Sequence, residues 1–405
     1  MSLYTSSQFA AASATGTDWR DTSKAVLEKL EEVRTDGHQF NFGFLYITDH
    51  LADDAQSILN LFKSVLGIDH WSGCVGIAIC TNGQAIIDEP AISAMIGTFN
   101  ENDFCSFPSI INNVNGAKTT LSPWMKDHQP MLILTHGDPS GEYDIPSTVE
   151  DLYDFTNGFV IGGLSSSRKD HVQFSDTQQM GGFSGCAFSH EVTVASTLSQ
   201  GCTHIGEEHT VTKTEDGLIL EIDGKRATEV FENDLRLMAI KKIDRDPNDI
   251  LLDSDDIPDE FKSLFQGEVH AAIPVQGSDQ RDYMVRQINH FDQDTGAIGI
   301  TEHLQNGSRL LFVKRDSETV QADLSRSLIS LRERIIQQEG VFEPKGALYI
   351  SCIARISERL ENKEKCEVKL IEEIIGDVPL TGFYASGEIN NSRLYSFTGI
   401  LILFL

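Results

Sequence analysis

Apolar runs of strand length alternate, early in the chain, with segments whose apolar residues recur at helical spacing. Residues 21–33 place apolar side chains on one helical face and charged side chains on the others. The apolar run Phe42–Thr48 predicts a buried strand, residues 53–66 predict a second amphipathic helix, and residues 71–79 return to strand character with two glycines. This order of elements predicts an α/β (α+β) fold.

This order of strand, helix and glycine-bearing strand occurs twice more along the chain. Internal repeats of this kind indicate an architecture built from repeated units. The second and third copies comprise residues 131–135, 147–155 and 158–164, and then Gly346–Cys352, Glu367–Ile375 and 381–387. A further apolar strand follows each copy, at residues 91–99, 182–189 and 394–405. We therefore predict repeated β-α-β-β units forming mixed β-sheets flanked by helices, because parallel strands need a crossover helix.

A segment with a different pattern of apolar and polar residues separates the second and third copies. Residues 192–227 alternate apolar and polar side chains, as antiparallel strands do, and residues 244–259 form an acid-rich segment typical of exposed loops. A domain boundary is expected near residues 225–250. We predict three segments, which are a flexible amino-terminal arm (1–21), a first domain (22–230) and a second domain (231–405) packed against it.

The charge and the cysteine content exclude several classes of protein. The chain carries 61 acidic and 32 basic side chains, a formal net charge of −29, which repels nucleic acid and anionic membranes. It begins without a secretory signal pattern, and its carboxy-terminal apolar run, 399–405, is too short to cross a bilayer. Seven cysteines without a Cys-x-x-Cys pair argue against a disulfide framework or a zinc site. We expect a cytoplasmic protein with reduced thiols.

Several spaced motifs resemble the two domains of the FIST family. Residues 67–76, with their Gly73-Cys74 turn, and residues 89–93, Glu-Pro-Ala-Ile-Ser, are similar to the amino-terminal domain. The Ser-Gln-Gly-Cys segment, 199–202, is similar to a more specific motif of that domain. Further motifs are similar to the carboxy-terminal FIST domain. They are Val285-Arg286, Gly296-Ala297, Arg315-Asp316, Ser351-Cys352, Arg355 and the Gly-Phe-x-x-x-Gly-Glu-Ile stretch at 382–389.

The resemblance implies a sensory function without enzymatic activity. FIST proteins are cytoplasmic sensory modules for small molecules, proposed to include amino acids, and they signal to a separate protein such as a histidine kinase or a cyclase. A subset binds haem and senses nitric oxide. We therefore predict a non-enzymatic, small-molecule-binding sensor, with a haem-binding nitric-oxide sensor or an interaction scaffold without a ligand as alternatives.

A ligand site is expected where glycine turns lie near charged groups at strand ends. Arg355 could hold a carboxylate and Glu388 an ammonium group, which together suit an amino acid; alternatively, the two side chains form an internal ion pair. The expected pocket lies between the two sequence halves. Its predicted residues are Arg355, Gly382, Phe383, Gly387, Glu388, Ser351, Cys352, Gly73, Cys74, Gly201 and Cys202.

Other chemistry has weaker support in the sequence. Cys74 and Cys202 lie near His70 and His204, as a nucleophile and its base would, but free cysteines more often pack in cores, so no catalytic residue is expected. No His-x-x-x-His pair predicts a metal site. No cofactor is required; for haem, the pattern does not select among histidines such as His136, His190 and His204.

Overall fold

The computed structural model describes residues 3–6, 8–35, 39–243, 268–275, 283–356 and 366–405. These residues divide into two compact units. Unit 1 comprises residues 1–200 and 324–405, and unit 2 comprises residues 201–323. Unit 2 is thus an insertion into the chain of unit 1. The predicted acid-rich loop at 244–259 lies outside the described residues, and the boundary expected near residues 225–250 stays a prediction.

The elements follow one another in a regular order along the chain. The strands are β1 (Leu3–Thr5), β2 (Phe9–Thr15), β3 (Phe42–Thr48), β4 (His70–Gly76), β5 (Ala78–Thr81), β6 (Gln84–Ile87), β7 (Ala91–Gly97), β8 (Phe104–Ile110), β9 (Pro130–Gly137), β10 (Phe159–Leu164), β11 (Gln173–Ser175), β12 (Thr177–Gln179), β13 (Phe183–Ser189), β14 (Val194–Ser199), β15 (Thr203–His204), β16 (His209–Glu215), β17 (Leu218–Ile222), β18 (Lys225–Arg226), β19 (Glu268–Pro274), β20 (Tyr283–Asp292), β21 (Ala297–Ile300), β22 (Arg309–Arg315), β23 (Gly346–Cys352), β24 (Leu380–Ala385), β25 (Gly387–Asn390), β26 (Arg393–Tyr395) and β27 (Gly399–Phe404). The α-helices are α1 (Trp19–Thr35), α2 (Ala55–Leu66), α3 (Asn115–Trp124), α4 (Ile145–Thr156), α5 (Ala227–Ile243), α6 (Ser317–Glu339) and α7 (Glu367–Ile375), and 3-10 turns lie at Asp49–Asp54 and Ile353–Arg355.

Unit 1 is built from three copies of one topology, which confirms the predicted repeat. Repeat 1 contains β2, α1, β3, α2, β4, the hairpin β5–β6, and β7. Repeat 2 contains β8, α3, β9, α4, β10, the hairpin β11–β12, and β13; repeat 3 contains β14, α6, β23, α7, β24, the hairpin β25–β26, and β27. In each sheet the first central strand pairs parallel with the strand after its crossover helix and antiparallel with the last strand. Unit 2 is inserted after β14.

The hairpins lock the three repeats together in a closed cycle. Hairpin β5–β6 of repeat 1 extends the sheet of repeat 3, hairpin β25–β26 of repeat 3 extends the sheet of repeat 2, and hairpin β11–β12 of repeat 2 extends the sheet of repeat 1. Each sheet therefore contains strands from two repeats. Since backbone hydrogen bonds cross every boundary between repeats, we infer that the repeats fold as one body.

Four apolar clusters follow from the alternation of side chains along these strands. The inward-facing residues of all three sheets form a central core, to which Phe44, Leu134 and Leu348 contribute from equivalent positions. The outward-facing residues of each sheet pack against that repeat's own helices. Because both faces of the central strands are covered, a strand such as β3 is apolar along its whole length.

The amino-terminal segment corrects one expectation. The residues predicted to be a flexible arm form β1 and β2 instead, and β2 pairs with β7 along its whole length. Phe9 and Ala11 enter the central core, while Ala10, Ala12 and Ala14 face the outer cluster. The run of small alanines carries little strand signal in the sequence, and only its pairing with β7 makes it a buried strand.

Unit 2 is a closed ring of six antiparallel strands. The ring order is β22, β16, β17, β21, β20 and β19, and β19 pairs with β22 to close it. Its core contains Val211, Ile219, Ile298 and Phe312, with α5 packed against it. The antiparallel strands predicted for residues 192–227 are confirmed by β14, β16 and β17. No helix in the described part of the chain is both long and apolar enough to span a membrane.

Candidate functional site

The parallel strand pairs of the three repeats end at one edge of unit 1, which we call the carboxyl edge. It lies where β3 and β4, β9 and β10, and β23 and β24 end. Ser166 joins the three repeats there, because its hydroxyl accepts a hydrogen bond from the Ile77 amide at 2.9 Å and donates to the Tyr384 carbonyl at 2.5 Å. The carboxyl ends of parallel strands are the usual location of ligand sites in α/β folds.

Arg355 is buried at this edge and forms an ion pair with a residue the sequence did not single out. It lies in the 3-10 turn after β23, and its Nε donates to Oε1 of Glu367, the first residue of α7, at 2.8 Å. Its Nη1 donates to the carbonyls of Ser199 and Phe397. The alternative of an internal ion pair is therefore realised for Arg355, with Glu367 in place of Glu388.

Glu367 is fully engaged by neighbouring donors. Its Oε2 accepts hydrogen bonds from the Tyr349 hydroxyl at 2.6 Å and from the Ser351 hydroxyl at 3.1 Å, in addition to the Arg355 bond at Oε1. A buried carboxylate with three donors, one of them charged, is well compensated. The Arg355 and Glu367 pair thus ties β23 to the start of α7 and holds the carboxyl edge in shape.

Glu388 has a different environment. It is fully buried in β25, where it pairs with Gly163 of β10, and a Cβ at Gly163 would lie only 2.9 Å from Ala385 Cβ. Gly163 thus gives room to the side chains of Ala385 and Ile350, which lie close to it. Its Oε2 accepts from the amide and the hydroxyl of Thr398 at 3.0 and 2.8 Å. No described donor reaches Oε1 with hydrogen-bond geometry, although the Cys352 thiol lies beside the carboxyl.

This environment makes Glu388 titrate near neutral pH. Burial raises the pKa of the carboxyl to about 7, because the charged form loses its hydration. The two hydrogen bonds from Thr398, the nearby Cys352 thiol and the positive charge of Arg355 each lower the pKa, but they do not cancel that rise. A cationic ligand beside Glu388 would therefore favour the ionised form of its carboxyl.

Gly73 and Gly382 lie within strands rather than at turn corners. A Cβ on Gly73 would lie 1.9 Å from the Leu45 carbonyl oxygen, and a Cβ on Gly382 would lie 1.8 Å from that of Tyr349. Gly162 occupies the same place in repeat 2, 1.8 Å from the Thr135 carbonyl oxygen by the same measure. The backbone conformation at this repeated position therefore requires glycine, which explains the glycine-bearing strands of the sequence pattern.

Three ring side chains from the three repeats meet in the centre of unit 1. The Tyr46 hydroxyl lies 3.1 Å from His136 Nε2, and the Phe383 ring stacks on Tyr46 at a centroid distance of 5.2 Å. Burial lowers the pKa of His136 to about 3, so its imidazole is neutral. Contact with the Tyr46 and Phe383 rings leaves no flat slot for a porphyrin at this histidine, so His136 does not fit a haem ligand.

Gly387 pairs with Leu164, the last residue of β10, and therefore lies at the carboxyl edge. No described contact brings the other remaining candidates there. Gly201 and Cys202 belong to unit 2, where the Cys202 carbonyl accepts a hydrogen bond from Tyr283. His190 is exposed and lies 3.0 Å from Glu191, and His204 of unit 2 is exposed against Tyr283.

The buried thiols are poor nucleophiles. Cys74 and Cys352 both have a raised pKa because burial disfavours the thiolate, and Cys74 packs in the central core. Within the described ranges, no group of three or more His, Cys, Asp or Glu side chains is arranged to hold a metal ion.

The sequence singled out Arg355, Ser351, Cys352 and Glu388, and the structure places these four residues at the same edge, while their role in binding stays a prediction. Sequence reasoning missed Glu367 and Thr398, which hold their charged groups in place. Glu367 carried one signal, since an acid at the first position of an amphipathic helix after a buried arginine invites pairing. Thr398 carried none, because its contact with Glu388 depends on the turn before β27.

Two family models match most of the chain. The FIST N domain matches residues 41–225, and the FIST C domain matches residues 248–391. An uncharacterized protein of Mycobacterium tuberculosis (strain ATCC 25618 / H37Rv) is 27% identical over 355 residues, which cover 82% of this chain and 83% of the relative. An uncharacterized protein of Mycobacterium bovis (strain ATCC BAA-935 / AF2122/97) is 27% identical over 407 residues, covering 95% and 96%. The resemblance seen in the motifs is confirmed, and the chain belongs to the FIST family of sensory signal-transduction domains.

Proposed function

We propose that this protein is a cytoplasmic sensor that binds a small ammonium compound, an amino acid or a close relative, at the carboxyl edge of unit 1. The observation that carries the proposal is Oε1 of Glu388, a buried carboxylate oxygen without a described donor. Buried polar atoms are normally paired, so an unpaired one at a strand edge marks a place for a ligand group.

The electrostatics of Glu388 favour a cationic partner. Near neutral pH the carboxyl is only partly ionised, because burial opposes the charge. An ammonium group at Oε1 would compensate the charge and supply the missing hydrogen bond. Ligand binding and ionisation of Glu388 would then stabilise each other.

Arg355 has a positioning role in this proposal. Its Nε and Nη1 are already bonded to Glu367, Ser199 and Phe397. Its charge nevertheless lowers the pKa of Glu388. The same charge would favour a ligand that also carries a carboxylate. Ser351 and Cys352, at the end of β23, flank the site.

The signal would pass through the contacts between repeats. Glu388 lies on a hairpin of repeat 3 that extends the sheet of repeat 2, and Ser166 ties that edge to repeat 1. A ligand that changes the charge of Glu388 therefore acts where all three repeats meet. A separate protein, such as a histidine kinase or a cyclase, would read the resulting change of surface.

A thermal-shift screen at pH 6 and pH 8 tests the proposal, with amino acids, their decarboxylated amines and their deaminated acids as probes. We expect amino acids or amines to raise the melting temperature, and more so at pH 8, where Glu388 is ionised. The Glu388→Gln variant keeps the shape of the side chain but removes its charge, and we expect it to lose at least about tenfold in affinity.

Glu343→Gln is the matched control, because it makes the same change on an exposed side chain. It should bind like the parent protein. Unchanged binding by Glu388→Gln, or no shift with any probe, would remove the ligand site and leave the interaction scaffold as the better account. An intense Soret band after haem reconstitution would also contradict the proposal.

A further inference from the structure

A cavity lies at the opposite edge of unit 1 from Glu388. The last strands of the repeats, β7, β13 and β27, run antiparallel to the first central strands β3, β9 and β23. They therefore end at the edge opposite the carboxyl edge. Between their ends is a pocket of about 210 Å³. We call it the phenylalanine pocket; it is lined by Gln8, Phe9, Thr98, Phe99, Asn100, Asp103, Glu191, Val192, Thr193, Phe404 and Leu405.

Aromatic rings form the apolar wall of the phenylalanine pocket. Phe9 and Phe404 are stacked at a centroid distance of 5.1 Å, and Phe99 meets both of them edge-on at 5.6 and 5.7 Å. Phe9 and Phe404 are almost completely buried, which fixes their positions, while Phe99 is half-buried. A preformed aromatic wall of this kind binds flat apolar groups and attracts cations to its ring faces.

The polar wall of the pocket is acidic. Asp103 is 7% exposed, and its two oxygens accept one hydrogen bond each, from Asn100 at 2.8 Å and from Ser189 at 3.1 Å. A carboxylate has about four acceptor positions, so Asp103 retains capacity for a ligand donor. Glu191 adds a second, exposed carboxylate that also contacts His190. Among the described residues that line the pocket, none is basic.

We propose that the phenylalanine pocket binds a small organic cation with an aromatic or aliphatic body, such as an arylalkylamine, with its ammonium group on Asp103. The buried carboxylate fixes the charged end, and the three phenylalanines hold the apolar end. The strongly negative chain raises the local concentration of cations near such a pocket. This site is separate from Glu388 and does not depend on the function proposed above.

Isothermal titration of the full chain with phenethylammonium tests the proposal. The probes for comparison are 2-phenylethanol, which is neutral, and phenylacetate, which is anionic. We expect phenethylammonium to bind and the other two to bind at least about tenfold more weakly, because they lack the charge-assisted hydrogen bond to Asp103.

Two variants locate the binding. Asp103→Asn keeps the side-chain shape and should weaken phenethylammonium at least about tenfold, whereas Asp127→Asn, a matched change on an exposed residue, should not. Val192→Phe should block binding, because the larger side chain fills the pocket without changing its charge. This variant tests the location of the site even if Asp103→Asn folds poorly. Glu388→Gln should bind phenethylammonium normally if the two sites are separate.

The proposal is overturned by any of three results. The first is equal binding of phenethylammonium and 2-phenylethanol, which would mean an apolar cleft without charge recognition. The second is binding equal to that of the parent protein by Asp103→Asn and Val192→Phe, with both variants folded. Binding that disappears in Glu388→Gln and persists in Asp103→Asn would assign the amine to the carboxyl edge alone.

Discussion

Two buried glutamates of repeat 3 have different environments because of the donors around them. Glu367 accepts three hydrogen bonds, one of them from the Arg355 guanidinium. Glu388 accepts two, both at Oε2 and both from Thr398. A charged donor and a full set of hydrogen bonds make ionisation tolerable in a low-dielectric interior, whereas an incomplete set leaves part of the desolvation cost. Glu388 is therefore the one of the two whose pKa burial raises to about 7.

This environment predicts a pH dependence of stability in the ligand-free protein. The folded-state pKa of Glu388, about 7, lies above the ordinary value of 4.5, so the folded protein retains a proton that the unfolded chain releases between these pH values. The stabilisation is complete below pH 4.5 and is lost as pH rises through 7. A pKa shift of one unit corresponds to about 1.4 kcal/mol, so the free energy of unfolding falls by about 3 kcal/mol over this pH range.

Urea unfolding of the parent protein and of Glu388→Gln at a series of pH values measures this contribution. The difference in free energy of unfolding between the two should change by about that amount from pH 4.5 to pH 8. Glu343→Gln should run parallel to the parent protein. A constant difference for Glu388→Gln across the series would mean that the carboxyl titrates normally.

At the level of secondary-structure elements, the repeated glycine shows why the three strand pairs look alike in the sequence. Gly73, Gly162 and Gly382 each face a backbone carbonyl of the neighbouring parallel strand at a distance that excludes a Cβ. The constraint comes from the backbone of the repeat and applies once in each sheet. The glycine-bearing strands are therefore a mark of the fold, and their glycines are not themselves evidence for a ligand.

A substitution at this position should damage the fold. Gly382→Ala would place a Cβ 1.8 Å from the Tyr349 carbonyl oxygen, so the strands must move apart, at a cost of at least about 2 kcal/mol. Gly116→Ala is the control, because that glycine lies in α3, where its nearest neighbour would be 3.3 Å away and alanine favours the helix. Thermal unfolding should show a clear loss for the first variant and none for the second.

At the level of the whole molecule, the protein is a triplicated scaffold with one insertion. Unit 2 begins just after β14 and ends within the first turns of α6, so the third repeat is interrupted while its sheet is intact. Within unit 2 the first and last residues are adjacent, because the Gly201 amide donates to the Asp323 carboxylate at 2.9 Å. Insertions whose ends lie close together interrupt a host domain with little strain.

We expect unit 2 to fold when excised as residues 201–323. Its strands close into a ring, and its core is formed by its own residues. Circular dichroism and thermal unfolding of the excised chain should show cooperative β structure. Non-cooperative melting, together with a random-coil spectrum, would mean that unit 2 needs the rest of the protein to fold.

The periodicity of apolar residues was sufficient to locate most of unit 1. Phe42–Thr48, Gly346–Cys352 and Glu367–Ile375 have the predicted bounds, and the three β-α-β-β units occur in the predicted order. These elements are buried on one or both faces, so their side-chain pattern records their structure directly. The strand β2 and the exchanged hairpins were not predicted, because their burial comes from strands that are distant in sequence.

The sequence by itself determined the repeat, the family and the presence of charged residues near the ends of buried strands. Only the tertiary structure decided the partners of those charges. It paired Arg355 with Glu367, left Oε1 of Glu388 without a described donor, and placed an acidic phenylalanine pocket at the far edge. The reason is physical: periodicity is local, whereas the donor that faces a buried carboxylate is set by which strands and turns pack against it.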